Sequence, residues 1–299
     1  MHNLGYFLSI SAGLIWGTIG LSAMKLNELG LNPYEISFVR TLFAFVLGLI
    51  FIRIKNKVLI KNEKKIKNKK IYLFIIVSGI LCQGLLNIFY SKSVIHVGTI
   101  TGIMLLATGP IFTIIFSKIF FKESLGFFKI LALTITFVGA FLLITEGNIQ
   151  QLNFNFQGVI YGVLSGVCYG MFPIINKKII DQFNPVEATI YSFGVASFFL
   201  LAFIDQGSII KILNSEVFKA GLFYGLFPTL IAYILYSKSM VYIPATSASI
   251  ISLLEVPATA LIGVLFLNES LGKIKILGML IILTGIVCTK ITKREKKLI

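Results

Sequence analysis

Long apolar runs alternate with short polar or charged breaks along this chain, and the runs are bilayer-length rather than the length of a soluble core helix. A helix needs about 20 mostly apolar residues to cross the hydrocarbon. Uncharged stretches near that length occupy 4–24, 71–91, 93–117, 147–176 and 220–237. Shorter or once-interrupted runs fill the gaps: 36–52 around Arg40, 130–145, 188–204, 239–268 around Glu255, and 274–289. The pattern predicts an all-α integral membrane protein of ten transmembrane helices. A barrel would instead alternate apolar and polar positions in segments of about ten residues. The first run follows no basic residue, is too long for a signal core and meets no small-residue cleavage site, so it is expected to be a retained helix.

The ten runs are five written twice. Phe89-Tyr90-Ser91-Lys92-Ser93 recurs as Leu235-Tyr236-Ser237-Lys238-Ser239, and Glu123-Ser124-Leu125-Gly126 recurs as Glu269-Ser270-Leu271-Gly272. Both pairs are displaced by the same 146 positions. Asn32-Pro33 answers Asn184-Pro185 at 152, and Trp16-Gly17 answers Tyr169-Gly170 at 153. Chance would not hold one displacement so nearly across four blocks. The repeats are read as 1–147 and 148–299, forming one membrane domain with no soluble domain. Because five is odd, the second copy enters the membrane from the opposite side. The halves are then inverted repeats, a design in which substrate binds between them near the midplane.

Charge orients this plan. The composition, 57% hydrophobic and 13% charged with a net charge of +15, raises the question of a nucleic-acid partner. The positions of the basic residues answer it. Nine Lys or Arg fall within 53–70, joining the second and third helices, and five within 290–297. None lies between Lys129 and Lys177. Basic loops stay cytoplasmic, so both termini and the 53–70 loop are expected inside, with the loop near 146–157 outside, in the cytoplasmic (plasma) membrane. The basic loops suit anionic lipid headgroups, and nucleic acid is not an expected partner. Cys82, Cys168 and Cys288 lie far apart inside predicted spans and read as packing residues, with no metal site. No Walker-type phosphate loop is present, so ATP hydrolysis within the chain is not expected, and no motif calls for a cofactor.

The order of these signals, doubled, resembles the EamA-like family of the drug/metabolite transporter superfamily over essentially the full length. The resemblance rests on Trp16-Gly17, on Asn32-Pro33 followed by Arg40, and on the mid-span prolines Pro110 and Pro257. Each proline leads to Glu123 or Asn268-Glu269, then to Gly139 or Gly285. It implies a ten-helix carrier with a central cavity, whose members often export amino acids, their analogues or other small metabolites.

Candidate cavity residues follow from polarity alone, because a polar side chain inside a bilayer faces protein or water rather than lipid. Gln83, Asn87 and Tyr90 are spaced i, i+4, i+7 on one face of helix three. A shift of 146 gives Thr229, Tyr233 and Tyr236 in helix eight. Ala248, Ser252, Glu255 and Thr259 share a face of helix nine, and Trp16 and Tyr169 are equivalent aromatics of helices one and six. Helix–helix bonding is the competing use of such residues, and the interfacial aromatic belt competes for Tyr90 and Tyr236. Glu255 lies roughly 15 Å into its helix at 1.5 Å per residue, near the midplane. A carboxyl there can exchange a proton or receive a substrate ammonium. Pro110 and Pro257 join it as gating candidates, since a proline frees backbone carbonyls within the span. Arg40 sits some two turns into helix two, within reach of the interface by snorkelling, and reads as an anchor. His96 reads as solvated. The expected function is a secondary transporter of small metabolites working by alternating access, with protons as a coupling partner carried by Glu255, and exporting amino acids or relatives. An importer of a vitamin or nucleoside-like compound is the alternative on the same fold. A passive channel or structural membrane protein is the rival class, and scattered histidines and aspartates argue against an enzyme.

Overall fold

A computed structural model describes residues 2–58, 69–123, 126–267 and 270–291. Among them every regular element is helical. Eight helices are long and apolar enough to cross a membrane: α1 (Asn3–Glu28), α2 (Pro33–Lys55), α3 (Lys70–Leu106), α5 (Phe127–Thr145), α6 (Phe156–Ile180), α7 (Pro185–Phe203), α8 (Ser215–Ser239) and α9 (Ala245–Leu267). A shorter apolar helix, α4 (Gly109–Phe121), follows α3. The last helix, α10 (Lys273–Ile291), closes the bundle. Glu269, the basic stretch 59–68 and the tail 292–299 lie outside the described residues.

The duplication seen in the sequence is repeated in the backbone. π-helical turns interrupt α3 at Ser78–Leu85 and α8 at Gly225–Ile231, and these stretches correspond under the 146-residue shift. In the second, the Thr229 hydroxyl donates to the Tyr224 carbonyl five residues back, at 2.8 Å. Such bulges take one extra residue into a turn and recur at functional sites. Helix hydrogen bonding also loosens at Ala107–Thr108 and at Leu253–Leu254, again 146 apart. Pro110 and Pro257 sit just beyond these breaks, in first turns where the missing N–H costs nothing. Gly98 turns the chain inside α3 with φ 80° and ψ 166°, a left-handed φ that favours glycine. Its counterpart is Pro244, extended at φ −59°, immediately before α9. Both repeats also start their second helix the same way. Asn32 Oδ1 accepts from the Tyr34 and Glu35 amides, and Asn184 Oδ1 accepts from the Val186 amide; this is the asparagine N-cap.

In lipid the hydrophobic effect does not press helices together, so close van der Waals fit at small residues does. That fit is also duplicated. A Cβ on Gly17 would stand 2.6 Å from the Ala258 Cβ and 3.0 Å from the Thr259 nitrogen, and one on Gly170 would stand 2.8 Å from the Phe112 Cβ and 3.0 Å from the Thr113 nitrogen. Thr259 and Thr113 are 146 apart, so α1 meets α9 as α6 meets α4. Between α5 and α10, a Cβ on Gly139 would meet the Ile282 nitrogen, and one on Gly285 would meet the Thr136 nitrogen, both at 2.8 Å. Residue i of one half touches j of the other while their equivalents touch in reverse, the pattern of a two-fold contact. Large apolar side chains such as Phe7, Ile119, Phe198 and Leu265 point outward, a surface that suits lipid.

Candidate functional site

At its break α1 packs against α8 and against both halves of α9, and Trp16, Tyr90, Tyr169, Tyr233, Tyr236, Ser252 and Glu255 gather around it. Trp16, 3% exposed, ends the first half of α1, and its ring lies 5.1 Å from Tyr233 and 4.9 Å from Tyr236. Phe172 from α6 closes the same box, 5.2 Å from Tyr233 and 6.0 Å from Tyr236. Phe193 from α7 sits 5.4 Å from Tyr233. Aromatic pairs at these separations prefer tilted or offset geometries, so the rings fix one another. Tyr236 is buried in this cluster and not in an interfacial belt.

Glu255 opens the second half of α9, the first residue after the break. A carboxyl at a helix start meets the unpaired amides and positive end of the dipole. Tyr90, Tyr169, Tyr233 and Tyr236 all lie within electrostatic reach of it. No ion pair satisfies Glu255 among the described residues. Ser252 donates to the Ser249 carbonyl at 2.7 Å, and Ser249 shares a 2.9 Å bond with Thr113 of α4. The Tyr169 hydroxyl approaches Ser252 without completing a hydrogen bond of good geometry. The Trp16 indole N–H is buried with no partner. Buried polar groups are nearly always satisfied, so this unpartnered donor beside the ring cluster is a candidate ligand contact.

Other expectations fare differently. Gln83 is fully buried with both amide atoms unpartnered, and Asn87 donates back to the Gln83 carbonyl. Among the described residues no hydrogen bond or ring contact joins these two to the Glu255 cluster. Thr259, placed by spacing on the Glu255 face, is exposed and donates to the Glu255 carbonyl. His96 is exposed and stacks on Tyr161 at 6.0 Å. Arg40 departs most. It does not snorkel: it is 6% exposed and donates to the hydroxyls of Tyr224 and Tyr233 at 3.5 and 3.4 Å. Position along α2 alone gives reach to the interface, whereas its partners come from α8, 184 and 193 positions on. Phe172 had a visible signal, one turn beyond Tyr169 on the same face; Phe193 had none. A cleft of about 330 Å³ lined by Leu4, Asn184, Lys238 and Tyr242 lies at the helix ends, away from this cluster. No group of three His, Cys, Asp or Glu converges as metal ligands would among the described residues.

Fold and centre together define a multi-pass α-helical membrane protein whose broken helices surround a buried, ring-lined polar site. The chain belongs to the EamA-like transporter family, whose model matches residues 3–145 and again 156–291. It is similar to an uncharacterized transporter of Archaeoglobus fulgidus, 23% identical with 93% of each chain covered. The uncharacterized inner membrane transporter YicL of Salmonella typhimurium is 21% identical over 95% of this chain and 94% of its own. A protein named as an S-adenosylmethionine uptake transporter in Rickettsia bellii is 24% identical over 91% of each. One solved crystal structure superposes with a TM-score of 0.78 at 14% identity, covering 97% of this chain and 98% of that one; it shares the fold.

Proposed function

We propose that the protein is a secondary carrier that moves a small amino-acid-like metabolite through the Glu255 site by alternating access, with ten crossings arranged as two inverted repeats. The observation that carries this reading is the convergence at the ends of broken helices of a carboxyl without an ion-pair partner, four tyrosines and the open Trp16 donor. Discontinuous helices whose half-helix ends face a midplane site belong to carriers built from inverted repeats.

Ion pairs support the crossing count. Glu35 bonds Lys211 at 3.1 Å, Lys55 pairs with Glu187 at 3.6 Å, and Lys275 pairs with Glu146 at 3.0 Å. Partners so close share a membrane face, which requires an even number of crossings between them. Counting α3 as two crossings that turn at Gly98 and run on into α4 makes every interval even. Counting α3 as one and omitting α4 puts Glu35 and Lys211 on opposite faces. Ten crossings with the basic loops inside put both termini in the cytoplasm, Glu35 and Lys211 outside, and Glu187 and Lys55 inside. Glu255 either receives the substrate ammonium or carries a coupling proton. Export is the direction we favour. Uptake of a nucleoside-like compound is the second reading, favoured by the relative named for S-adenosylmethionine uptake and by an aromatic box able to stack a base.

The test is flux in proteoliposomes loaded with amino acids or nucleoside-like compounds, wild type beside Glu255→Gln. The reading expects saturable counterflow in wild type, lost or made independent of pH in the variant. Non-saturable leak in both would make the protein a channel or a structural component.

A further inference from the structure

Arg40 lies about 10 Å along α2 from Pro33, taking 1.5 Å per residue, and 6% of it is exposed. Its guanidinium carries five donors in a planar fork. Two donors reach tyrosine hydroxyls, Tyr224 at 3.5 Å and Tyr233 at 3.4 Å, both at the long limit of hydrogen bonding. The Tyr224 ring lies 5.5 Å away, and Nε has no partner. No carboxylate pairs with it among the described residues. Neutral hydroxyls and a ring quadrupole orient a cation but do not neutralise it, and a charge buried this deeply is ordinarily paired. The missing partner is an anion.

Tyr233 ties this unpaired cation to the central site. Its hydroxyl receives the Arg40 bond, its ring meets Trp16 edge-on, and its hydroxyl lies within electrostatic reach of Glu255. An unpaired positive fork therefore stands at the edge of the aromatic box, joined to it through Tyr233. Building on the carrier reading, we propose that Arg40 is the carboxylate-binding group of the cavity and that the substrate is an α-amino-acid zwitterion. Its carboxylate meets Arg40, and its side chain lies against Trp16, Phe172 and Tyr236. An Arg–carboxylate pair is bidentate and directional, which Lys does not reproduce. This arrangement selects against amines that lack the acid, because they leave Arg40 unpaired.

The experiment is thermal unfolding of the purified full-length chain with matched probes. Phenylalanine and tryptophan are compared with phenethylamine and tryptamine, which lack the carboxylate, and with 3-phenylpropanoate and indole-3-propanoate, which lack the ammonium. The remaining amino acids and their amides extend the set, and sodium sulfate at equal ionic strength reads out a free inorganic anion. A ligand of the folded state raises the midpoint with occupancy. Zwitterions are expected to protect, and their amides and amines to need about tenfold more ligand or worse, the worth of one charge-assisted bond. Arg40→Met is expected to lose this discrimination, with Arg40→Lys between. Three results overturn the proposal: amines protecting as well as zwitterions, sulfate alone reproducing the protection, or no carboxylate probe protecting at all. If Arg40→Met does not fold, the wild-type comparison of acid, amide and amine decides alone. Saturable flux of an uncharged or purely cationic metabolite alongside those negative results would leave the carrier reading standing without this one.

Discussion

At the scale of the residue, charge placed where lipid would punish it is the informative signal. Intramembrane ionisable groups are costly and face the bundle interior, and Glu255 and Arg40 are the two that matter at this centre. Glu255→Gln keeps the shape and the aromatic box, so it is expected to fold with an unfolding midpoint close to wild type. Its flux should fall at least tenfold where Glu255 binds the ammonium, or persist without pH dependence where Glu255 carries the proton, so one preparation separates the two roles. A smaller residue-level effect belongs to the caps. Asn32→Ala removes the side chain that accepts from the Tyr34 and Glu35 amides, a loss of about 1 kcal/mol by analogy with other N-caps, read as a lowered midpoint with unchanged ligand dependence. Glu255 was legible in the sequence because no other acid sits so far inside a span. Arg40 was misread because burial of a side chain depends on what packs over it. The tyrosines that hold it, Tyr224 and Tyr233, are set by the register of α8, which depends in turn on the π-helical turn around Pro228.

At the scale of the element, helix positions and the duplication were legible, and the interruptions inside the helices mostly were not. Prolines at 110 and 257 pointed to irregular backbone, and the breaks at Ala107–Thr108 and Leu253–Leu254 fall two to four residues before them. Pro228 lies inside the second π-helical turn, but the first holds no proline, so the pairing was not legible. Their extra residue breaks the simple i, i+4, i+7 spacing that put Gln83, Asn87 and Tyr90 on one face, and Tyr90 lies within electrostatic reach of Glu255. The α5–α10 seam offers a test of how far the equivalence of the halves extends. Gly139 and Gly285 each face a backbone nitrogen of the partner helix at 2.8 Å from an added Cβ. Backbone yields far less readily than the tip of a flexible side chain. Gly139→Leu and Gly285→Leu are each expected to cost about 1–3 kcal/mol as overpacking and to lower the midpoint by similar amounts. Because both act on one seam, the double variant should show less than the sum of the two. Unequal single effects with full additivity would mean that the seam is not a two-fold contact.

At the scale of the whole molecule, two ion-pair latches bridge the same pair of neighbouring helix ends in the two halves. Glu35, 1% exposed, accepts from the Asn32 amide at 2.6 Å, from Lys211 at 3.1 Å and from the Ser208 hydroxyl. Its repeat equivalent Glu187 accepts from Asn184 at 2.9 Å and pairs with Lys55 at 3.6 Å. The first latch is the shorter, and its carboxylate is the more buried. In the proposed topology it closes the outer face, while the cleft beside Asn184 and Lys238 lies toward the cytoplasm. This conformation is therefore sealed outside and looser inside. A carrier of this kind exposes its centre alternately, so breaking the outer latch should shift the population toward the outward-open form by the energy the latch contributes. Ser252 is fully buried at the centre, and Ser252→Cys in a background without Cys82, Cys168 and Cys288 makes it a reporter. An impermeant thiol reagent added outside intact cells is expected to label this cysteine faster once Lys211→Glu places like charges at the outer latch. Lys55→Glu, acting on the other face, should slow that labelling or leave it unchanged. Exchanging the pair, Glu35→Lys with Lys211→Glu, should return the rate toward wild type, since the attraction is restored with its sign reversed. Equal acceleration by Lys211→Glu and Lys55→Glu would place both latches on one face and refute the inversion, whatever the substrate proves to be.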